Sequence, residues 1–221
     1  MGLAIFDLDN TLLGGDSDHA WGEFLIARQL VDADLHSARN DEFYRQYTEG
    51  RLDIHDYVRF TLGPVLGFTL NELSELHQQF MAEFVRPMIL PRATALIEGH
   101  KAKGDYCLIM SATNCFITGP IAAELGVHDL LATDLVIQGN HYTGDISGVP
   151  CFQEGKVIRL QQWLELRNEQ YSIGDSTFYS DSANDLPLLE AVAVPVAVDP
   201  DDRLAEHARQ NDWEVLSLRE P

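Results

Sequence analysis

The chain has 221 residues, of which 45% are hydrophobic, so it can form one large domain or one domain with an insertion. Its 35 acidic and 15 basic residues give a formal net charge of −20, which repels phosphate backbones and argues against nucleic-acid binding. No apolar stretch is long enough to span a membrane, no signal region opens the chain, and its three cysteines lack metal-type spacing. We therefore expect a cytoplasmic protein with reduced thiols, either a monomer or a homodimer.

The N-terminal residues predict a buried strand that ends in paired carboxylates. Residues 3–6 are apolar, and Asp7-Leu8-Asp9-Asn10-Thr11 follows them. Two carboxylates one residue apart at a strand end can point into one site, where their repulsion is costly unless a cation lies between them. A cation beside a nucleophilic carboxylate suits phosphoryl transfer through an aspartyl-phosphate. A calcium loop of the EF-hand type is disfavoured, because Leu12 stands where that loop requires glycine.

The next segment predicts a helical insertion. Apolar residues recur at helical spacing over residues 17–84, and Asp16 or Ser17 can cap the first helix. Residues 14–15 are both glycine, and residues 86–91 contain two prolines, which is typical of linkers. We therefore expect an all-helical cap over residues 16–86, inserted into a core domain formed by residues 1–15 and 87–221.

The remainder of the chain alternates predicted helices and strands. We expect helices over 91–101, 118–125 and 154–166, strands over 106–110, 178–179 and 191–198, short strands within 129–146, and a last helix and strand that end near 216. This alternation predicts an α/β core with a Rossmann-like parallel sheet. In such sheets, sites form beyond the C-terminal ends of the strands.

Two later segments place single polar residues where an anion could bind. Ser111 follows the strand over 106–110 and precedes Thr113 and Asn114, which suit turns and amide donors but equally suit a helix cap. Lys156 lies near the start of the helix over 154–166, where a cation is unfavourable unless an anion such as phosphate binds there. Arg159 is the competing basic residue, one turn further into that helix.

A last segment supplies two more carboxylates. Asp181 and Asp185 follow the strand at 178–179 with four-residue spacing. Asp175 has no aspartate four residues on, so we interpret it as part of a loop. Mg²⁺ suits such a set, because it prefers a few carboxylates together with water and phosphate.

In order and spacing, these segments resemble the four motifs of the haloacid dehalogenase-like (HAD) hydrolases, although Ser180 replaces the glycine that commonly opens the fourth motif. The helical insertion is similar to the C1 cap of subfamily IB, the phosphoserine-phosphatase-like enzymes. The resemblance implies that Asp7 attacks phosphorus, while Asp9 protonates the leaving alcohol and then activates water. The other implied site residues are the phosphate-binding Ser111 and Lys156, the Mg²⁺ ligands Asp7, Asp9 (through its main-chain carbonyl) and Asp181, and the supporting Thr11 and Asp185.

The implied function is a Mg²⁺-dependent phosphomonoesterase that acts on a small-molecule phosphate ester. Candidate substrate-binding residues are Thr113, Asn114, Asp16, Glu23, Arg51 and Arg59. Asp16 and Glu23 could meet an ammonium, whereas Asp18 is expected to support the start of its helix.

Arg51 and Arg59 could bind a substrate carboxylate, and Trp21, Phe24 and Phe178 could offer an aromatic surface. Because acidic residues are frequent after the first motif, we expect an amino-alcohol phosphate such as histidinol phosphate. A phosphoserine phosphatase, a phosphotransferase and a non-catalytic phospho-acceptor signalling module remain open as alternatives.

Overall fold

The computed structural model describes residues 2–167 and 170–219, and a six-stranded sheet forms its centre. The strands in chain order are β1 (Leu3–Phe6), β2 (Tyr106–Asn114), β3 (Asp129–Thr133), β4 (Leu135–Gln138), β5 (His141–Ile146), β6 (Ser176–Ser180), β7 (Val194–Val198) and β8 (Glu214–Leu216). The sheet has the order β3-β2-β1-β6-β7-β8 and every adjacent pair is parallel, whereas β4 and β5 form a separate antiparallel hairpin. This confirms the predicted parallel α/β core.

Strand β1 is central and buried on both faces. All four of its residues are buried, and it pairs with β2 on one side and β6 on the other. Ala4 and Phe6 belong to one apolar cluster, while Leu3 and Ile5 belong to the cluster on the opposite face. Because side chains alternate across a strand, a short run of continuously apolar residues fills both layers.

Helices cover the sheet and fill the insertion between β1 and β2. They are α1 (Ser17–Ala27), α2 (Ala33–Thr48), α3 (Ile54–Leu62), α4 (Leu70–Phe80), α5 (Pro91–Ala102), α6 (Cys115–Leu125), α7 (Glu154–Glu165), α8 (Leu186–Leu189) and α9 (Asp202–Gln210). Polar caps set the starts of the first four, because the side chains of Asp16, Asp32, Asp53 and Thr69 each accept a hydrogen bond from a first-turn amide. None of the helices within the described ranges is long and apolar enough to cross a membrane.

The two predicted linkers lie side by side. Leu13 and Ile89 form an isolated antiparallel bridge, Gly14 N donates to Met88 O at 2.7 Å, and Leu90 N donates to Leu12 O at 3.2 Å. The chain therefore leaves and rejoins the core at one place. One apolar cluster nevertheless continues from the sheet into α1 and α4, so the boundary of a cap at residues 16–86 stays a prediction. The predicted core range also contains residues 1, 168–169 and 220–221, which lie outside the described residues.

Strand β2 differs most from its prediction. The sequence indicated a strand end at residue 110 and a helix start at 118, but β2 continues to Asn114 and α6 begins at Cys115. The register with β3 shifts between Met110 and Asn114, which is the irregularity of a bulged strand. Polar residues that suggested a turn therefore belong to the strand itself.

Candidate active site

Residues from all four predicted segments meet at the C-terminal edge of the sheet. Asp7 follows β1, and the two strands that flank β1 bring Ser111 and Asp181 to the same edge. Lys156 reaches this edge from the first turn of α7. The geometry is the one expected for a parallel sheet, in which the ends of neighbouring strands share one crevice.

Lys156 bridges two buried carboxylates. Its Nζ lies 2.7 Å from Asp7 Oδ1 and 2.6 Å from Asp185 Oδ2, and Ser180 Oγ donates to the same Asp185 oxygen at 2.8 Å. Burial opposes the charged form of Lys156, but the two carboxylates outweigh it and raise the pKa of its ammonium. Burial raises the pKa of Asp7 to about 7, even though Lys156 acts in the opposite direction. The pair is thus held tightly in a site that carries excess negative charge.

Thr11 connects the segment that contains Asp7 to the segment that contains Asp181 through hydrogen bonds. Its buried hydroxyl donates to Asp181 Oδ1 at 3.1 Å and accepts from Asp181 N at 3.1 Å. The same hydroxyl lies 3.5 Å from Asp7 Oδ2. Burial, followed by the charges of Asp7 and Asp185, raises the pKa of Asp181 well above its ordinary value.

Asp9 is held between α1 and β2. Its Oδ1 accepts from Ser17 N at 2.6 Å, and its Oδ2 accepts from Thr113 Oγ1 at 2.9 Å and from Ser111 Oγ at 3.4 Å. Burial, followed by the charge of Asp16, raises the pKa of Asp9 to about 6. Both carboxylate oxygens are therefore engaged by donors, which fixes the orientation of this side chain.

The carboxylates at this edge of the sheet are suitable ligands for a divalent cation that retains several water ligands. Within the described residues, no three His, Cys, Asp or Glu side chains form a ready metal-binding group. Asp7 and Asp181, which both lie near the Thr11 hydroxyl, are the two carboxylates that could hold such an ion. Mg²⁺ accepts one or two carboxylates plus water and phosphate, and its charge would relieve their repulsion.

A pocket opens beside Asp7 and Asp9, and aromatic rings form one of its walls. These rings are Phe43, Tyr44, Tyr47 and Tyr57, from α2 and α3. The described residues that line the pocket include four aspartates but no lysine or arginine. Sequence reasoning missed this wall, although its members on α2 recur at helical spacing.

Three predicted substrate contacts lie away from this pocket. Arg51 is exposed and pairs with Glu49, while Arg59 is exposed and pairs with Asp145 at 3.2 Å. Glu23 is exposed, because the faces of α1 on either side of it pack into the core. The structure therefore does not support these residues as substrate contacts.

The predicted aromatic surface was wrong. Trp21, Phe24 and Phe178 are fully buried, and Trp21 packs edge-to-face against Phe80 and Phe116 at about 5 Å. Apolar spacing along a helix marks the core face, so these rings fill the interior. Asn114 is also buried, where its Oδ1 accepts from Ile117 N at 3.3 Å and caps α6, as the alternative interpretation proposed.

The two aspartates at the start of α1 make different contacts. Asp16 caps the helix, since its Oδ1 accepts from His19 N at 2.8 Å, although it also lines the pocket. Asp18 was expected to support the helix start, but it is buried, lines the pocket and lies 2.9 Å from Thr113 Oγ1 through its Oδ2.

Known proteins share both the sequence and the fold. Residues 4–190 match the family model of the haloacid dehalogenase-like hydrolases. The chain is 46% identical over 219 residues to a histidinol-phosphatase of Neisseria meningitidis serogroup C (strain 8013), covering 98% of this chain and 99% of the relative. It is 30% identical over 219 residues to a phosphoserine phosphatase of Mycobacterium tuberculosis (strain ATCC 25618 / H37Rv), covering 98% of this chain and 70% of the relative.

Solved structures agree with this assignment. A Bordetella pertussis Tohama I protein of unknown function superposes with a TM-score of 0.89 at 42% identity, covering 98% of both chains. A substrate-bound phosphoserine phosphatase superposes with a TM-score of 0.69 at 15% identity, covering 99% of this chain and 93% of the other, which shows a shared fold. The motif-based family prediction is thereby confirmed: the chain belongs to the haloacid dehalogenase-like hydrolase family and is an enzyme of its phosphatase type.

Proposed function

We propose that this enzyme is a Mg²⁺-dependent phosphomonoesterase that acts through an aspartyl-phosphate on an amino-alcohol phosphate such as histidinol phosphate. One observation carries the proposal. Asp7, paired with Lys156 at 2.7 Å, lines a pocket that holds further carboxylates and aromatic rings and, among its described lining residues, no basic side chain. Such a pocket favours a phosphate ester whose other end is cationic and partly aromatic.

Asp7 is the proposed nucleophile. Lys156 fixes its carboxylate through Oδ1, and Oδ2 is the oxygen that we assign to the attack on phosphorus. A bond forms between Oδ2 and phosphorus while the ester P–O bond breaks, and the alcohol leaves. Water then attacks the same phosphorus, which releases inorganic phosphate and restores the Asp7 carboxylate.

Asp9 is the proposed proton donor and acceptor. Ser17 N and Thr113 Oγ1 orient its carboxyl group beside the pocket, so that it can protonate the departing alkoxide. In the second half-reaction it takes a proton from the attacking water, which returns it to its starting state. The Ser111 hydroxyl and the Lys156 ammonium would stabilise the oxygens of the transferring phosphoryl group. Mg²⁺, held by Asp7, Asp181 and the Asp9 carbonyl, would neutralise charge on that group when bound.

The substrate preference rests on what the pocket contains. Phosphoserine carries an ammonium and a carboxylate, so a site that selects it needs a cation for the latter. Arg51 and Arg59, the sequence candidates for that cation, lie outside the pocket. The name of the Neisseria relative, histidinol-phosphatase, agrees with an amino-alcohol phosphate.

A panel of phosphate esters tests the proposal. With Mg²⁺ present, we expect kcat/KM for histidinol phosphate to exceed that for phosphoserine by about tenfold or more, the value of one well-placed charge-assisted contact. Asp7→Asn should abolish turnover of both esters and of p-nitrophenyl phosphate. A preference for phosphoserine would contradict the substrate assignment, and turnover by Asp7→Asn, with deamidation excluded by mass spectrometry, would contradict the nucleophile. A signalling module would show no repeated turnover of p-nitrophenyl phosphate.

A further inference from the structure

Asp18 is a buried carboxyl group that lines the pocket, and one of its oxygens has no hydrogen-bond partner among the described residues. The residue is 6% exposed, on the first turn of α1. Its Oδ2 lies within hydrogen-bond distance of Thr113 Oγ1, at 2.9 Å, whereas Oδ1 has no hydrogen-bond partner among the described residues. Buried polar oxygens are almost always partnered, so an unpartnered one beside a ligand pocket indicates a contact that a ligand completes.

The surroundings of Asp18 favour a cationic ligand. Asp16 and Asp9 line the same pocket and act on Asp18 with like charge, and Tyr57 lines that pocket from α3. Burial raises the pKa of Asp18 well above its ordinary value, and the two neighbouring carboxylates raise it further. A positively charged group in this place would relieve both the repulsion and the lost hydration.

We propose that Asp18 recognises the substrate ammonium and thereby sets the preference for amino-alcohol phosphates; this inference rests on the proposed function. Thr113 Oγ1 lies 2.9 Å from both Asp9 Oδ2 and Asp18 Oδ2. The group that protonates the leaving oxygen and the group that binds the amine are therefore less than 6 Å apart. A 2-amino alcohol phosphate has the matching arrangement, because two carbons separate its ester oxygen from its nitrogen.

The neighbouring acids are less suited to this role. Asp16 uses its Oδ1 to cap α1 through His19 N. Glu23, five residues beyond Asp18 on α1, is exposed. Asp18 combines burial, an unpartnered oxygen and a position in the pocket lining.

The test compares two esters on three proteins. The esters are histidinol phosphate and its deaminated analogue, imidazolylpropyl phosphate, which keeps the imidazole and the phosphate. The proteins are the wild type, Asp18→Asn and the matched variant Glu23→Gln, which removes one negative charge from the same helix outside the pocket. Asn keeps the size of Asp and can still form a hydrogen bond with Thr113 Oγ1, and thermal unfolding with Mg²⁺ present checks that the variants fold.

We expect Asp18→Asn to lower kcat/KM for histidinol phosphate by about tenfold or more, the value of a charge-assisted hydrogen bond, while turnover of the deaminated ester changes by about twofold or less. The wild type should prefer the aminated ester by a similar factor, and that preference should disappear in Asp18→Asn, because the two changes remove the same contact. Glu23→Gln should retain the preference. If Asp18→Asn does not fold, Asp18→Ser tests the same contact with a smaller neutral side chain.

Equal losses for both esters would overturn the inference, since Asp18 would then support the site in general. Unchanged turnover of both esters would overturn it too, because the amine would be bound elsewhere. Loss of the preference in Glu23→Gln would assign the ammonium to the other acid of α1. These results differ from failure of the proposed function, in which the wild type would hydrolyse neither ester nor p-nitrophenyl phosphate.

Discussion

Replacement of Lys156 by methionine should destabilise the protein in a manner that depends on pH. The side chain is 3% exposed and lies within 2.7 Å of two carboxylates that are themselves almost fully buried. Methionine keeps much of the volume but leaves Asp7 and Asp185 without their cation. Removal of one partner from a buried ion pair costs about 3–5 kcal/mol, so we expect a loss of that order in the free energy of unfolding at about pH 8, in the absence of Mg²⁺.

The pH dependence follows from Asp7. Burial already raises its pKa to about 7 with Lys156 in place, and loss of the ammonium raises it further. A carboxyl group whose pKa is higher in the folded than in the unfolded state stabilises the fold at low pH, and that stabilisation is lost as the pH rises through the folded pKa. The deficit of Lys156→Met should therefore be smaller at about pH 5 than at about pH 8.

Urea unfolding in EDTA at both pH values measures this deficit. Lys101→Met is the matched control, the same substitution on α5, because Lys101 pairs at 2.9 Å with Glu98 and both side chains reach solvent. A pair of this kind contributes about 0–1 kcal/mol, with little change over the same pH range. A deficit for Lys156→Met no larger than that of the control, or one that is equal at both pH values, would refute the reasoning.

Three further predictions concern proton transfer, metal binding and backbone strain. Asp9→Asn should slow hydrolysis of an alkyl phosphate more than that of p-nitrophenyl phosphate, because a good leaving group needs less acid help; equal losses would argue against the proton-transfer role. EDTA should inactivate the enzyme and Mg²⁺ should restore it, and Asp181→Ala should raise the Mg²⁺ concentration needed for half-maximal activity; activity unaffected by EDTA would exclude the proposed ion. Gln153 has φ of 50°, a backbone conformation that favours glycine. Gln153→Gly should therefore have a free energy of unfolding in urea about 1 kcal/mol higher than that of Gln153→Ala, since both lose the side chain but only glycine relieves the strain. The reverse order would show no strain at this position.

Local patterns were sufficient to predict the parallel sheet and several of the polar residues that gather at its C-terminal edge. The apolar run of β1 could fill both layers of a sheet, and a parallel sheet brings the ends of adjacent strands together. Asp7, Ser111 and Asp181 therefore meet because of topology, although 174 positions separate the first from the last. Lys156 could be assigned because its place at a helix start is electrostatically unfavourable without an anion or acidic partners.

The pocket wall could not be predicted in this way. Which face of α2 meets the site depends on how the helix packs, and that is set by contacts with distant residues. At the start of α1, adjacent positions point about 100° apart, so a small difference in where the helix begins exchanges a capping aspartate for a pocket aspartate. The sequence offered Asp16 or Ser17 as the cap, but only the packed helix shows that Asp16 takes that place and that Asp18 is buried beside Thr113.

The segments that carry Lys156 and Asp185 also form hydrogen bonds with the end of the helix that carries the aromatic wall. Gln153 Nε2 donates to Gly50 O and to Asn184 Oδ1, each at 3.3 Å, and Asn184 Nδ2 donates to Tyr47 O at 2.9 Å. Gln153 lies one turn before Lys156, and Asn184 directly precedes Asp185, the second carboxylate on Lys156. The C-terminal end of α2, which carries the ring of Tyr47 into the pocket, is therefore anchored by the segments that carry Lys156 and Asp185. A shift of α2 that adapts the wall to another leaving group would have to displace these hydrogen bonds, so we expect a change in the wall to alter the position of the proposed phosphate-binding residues as well.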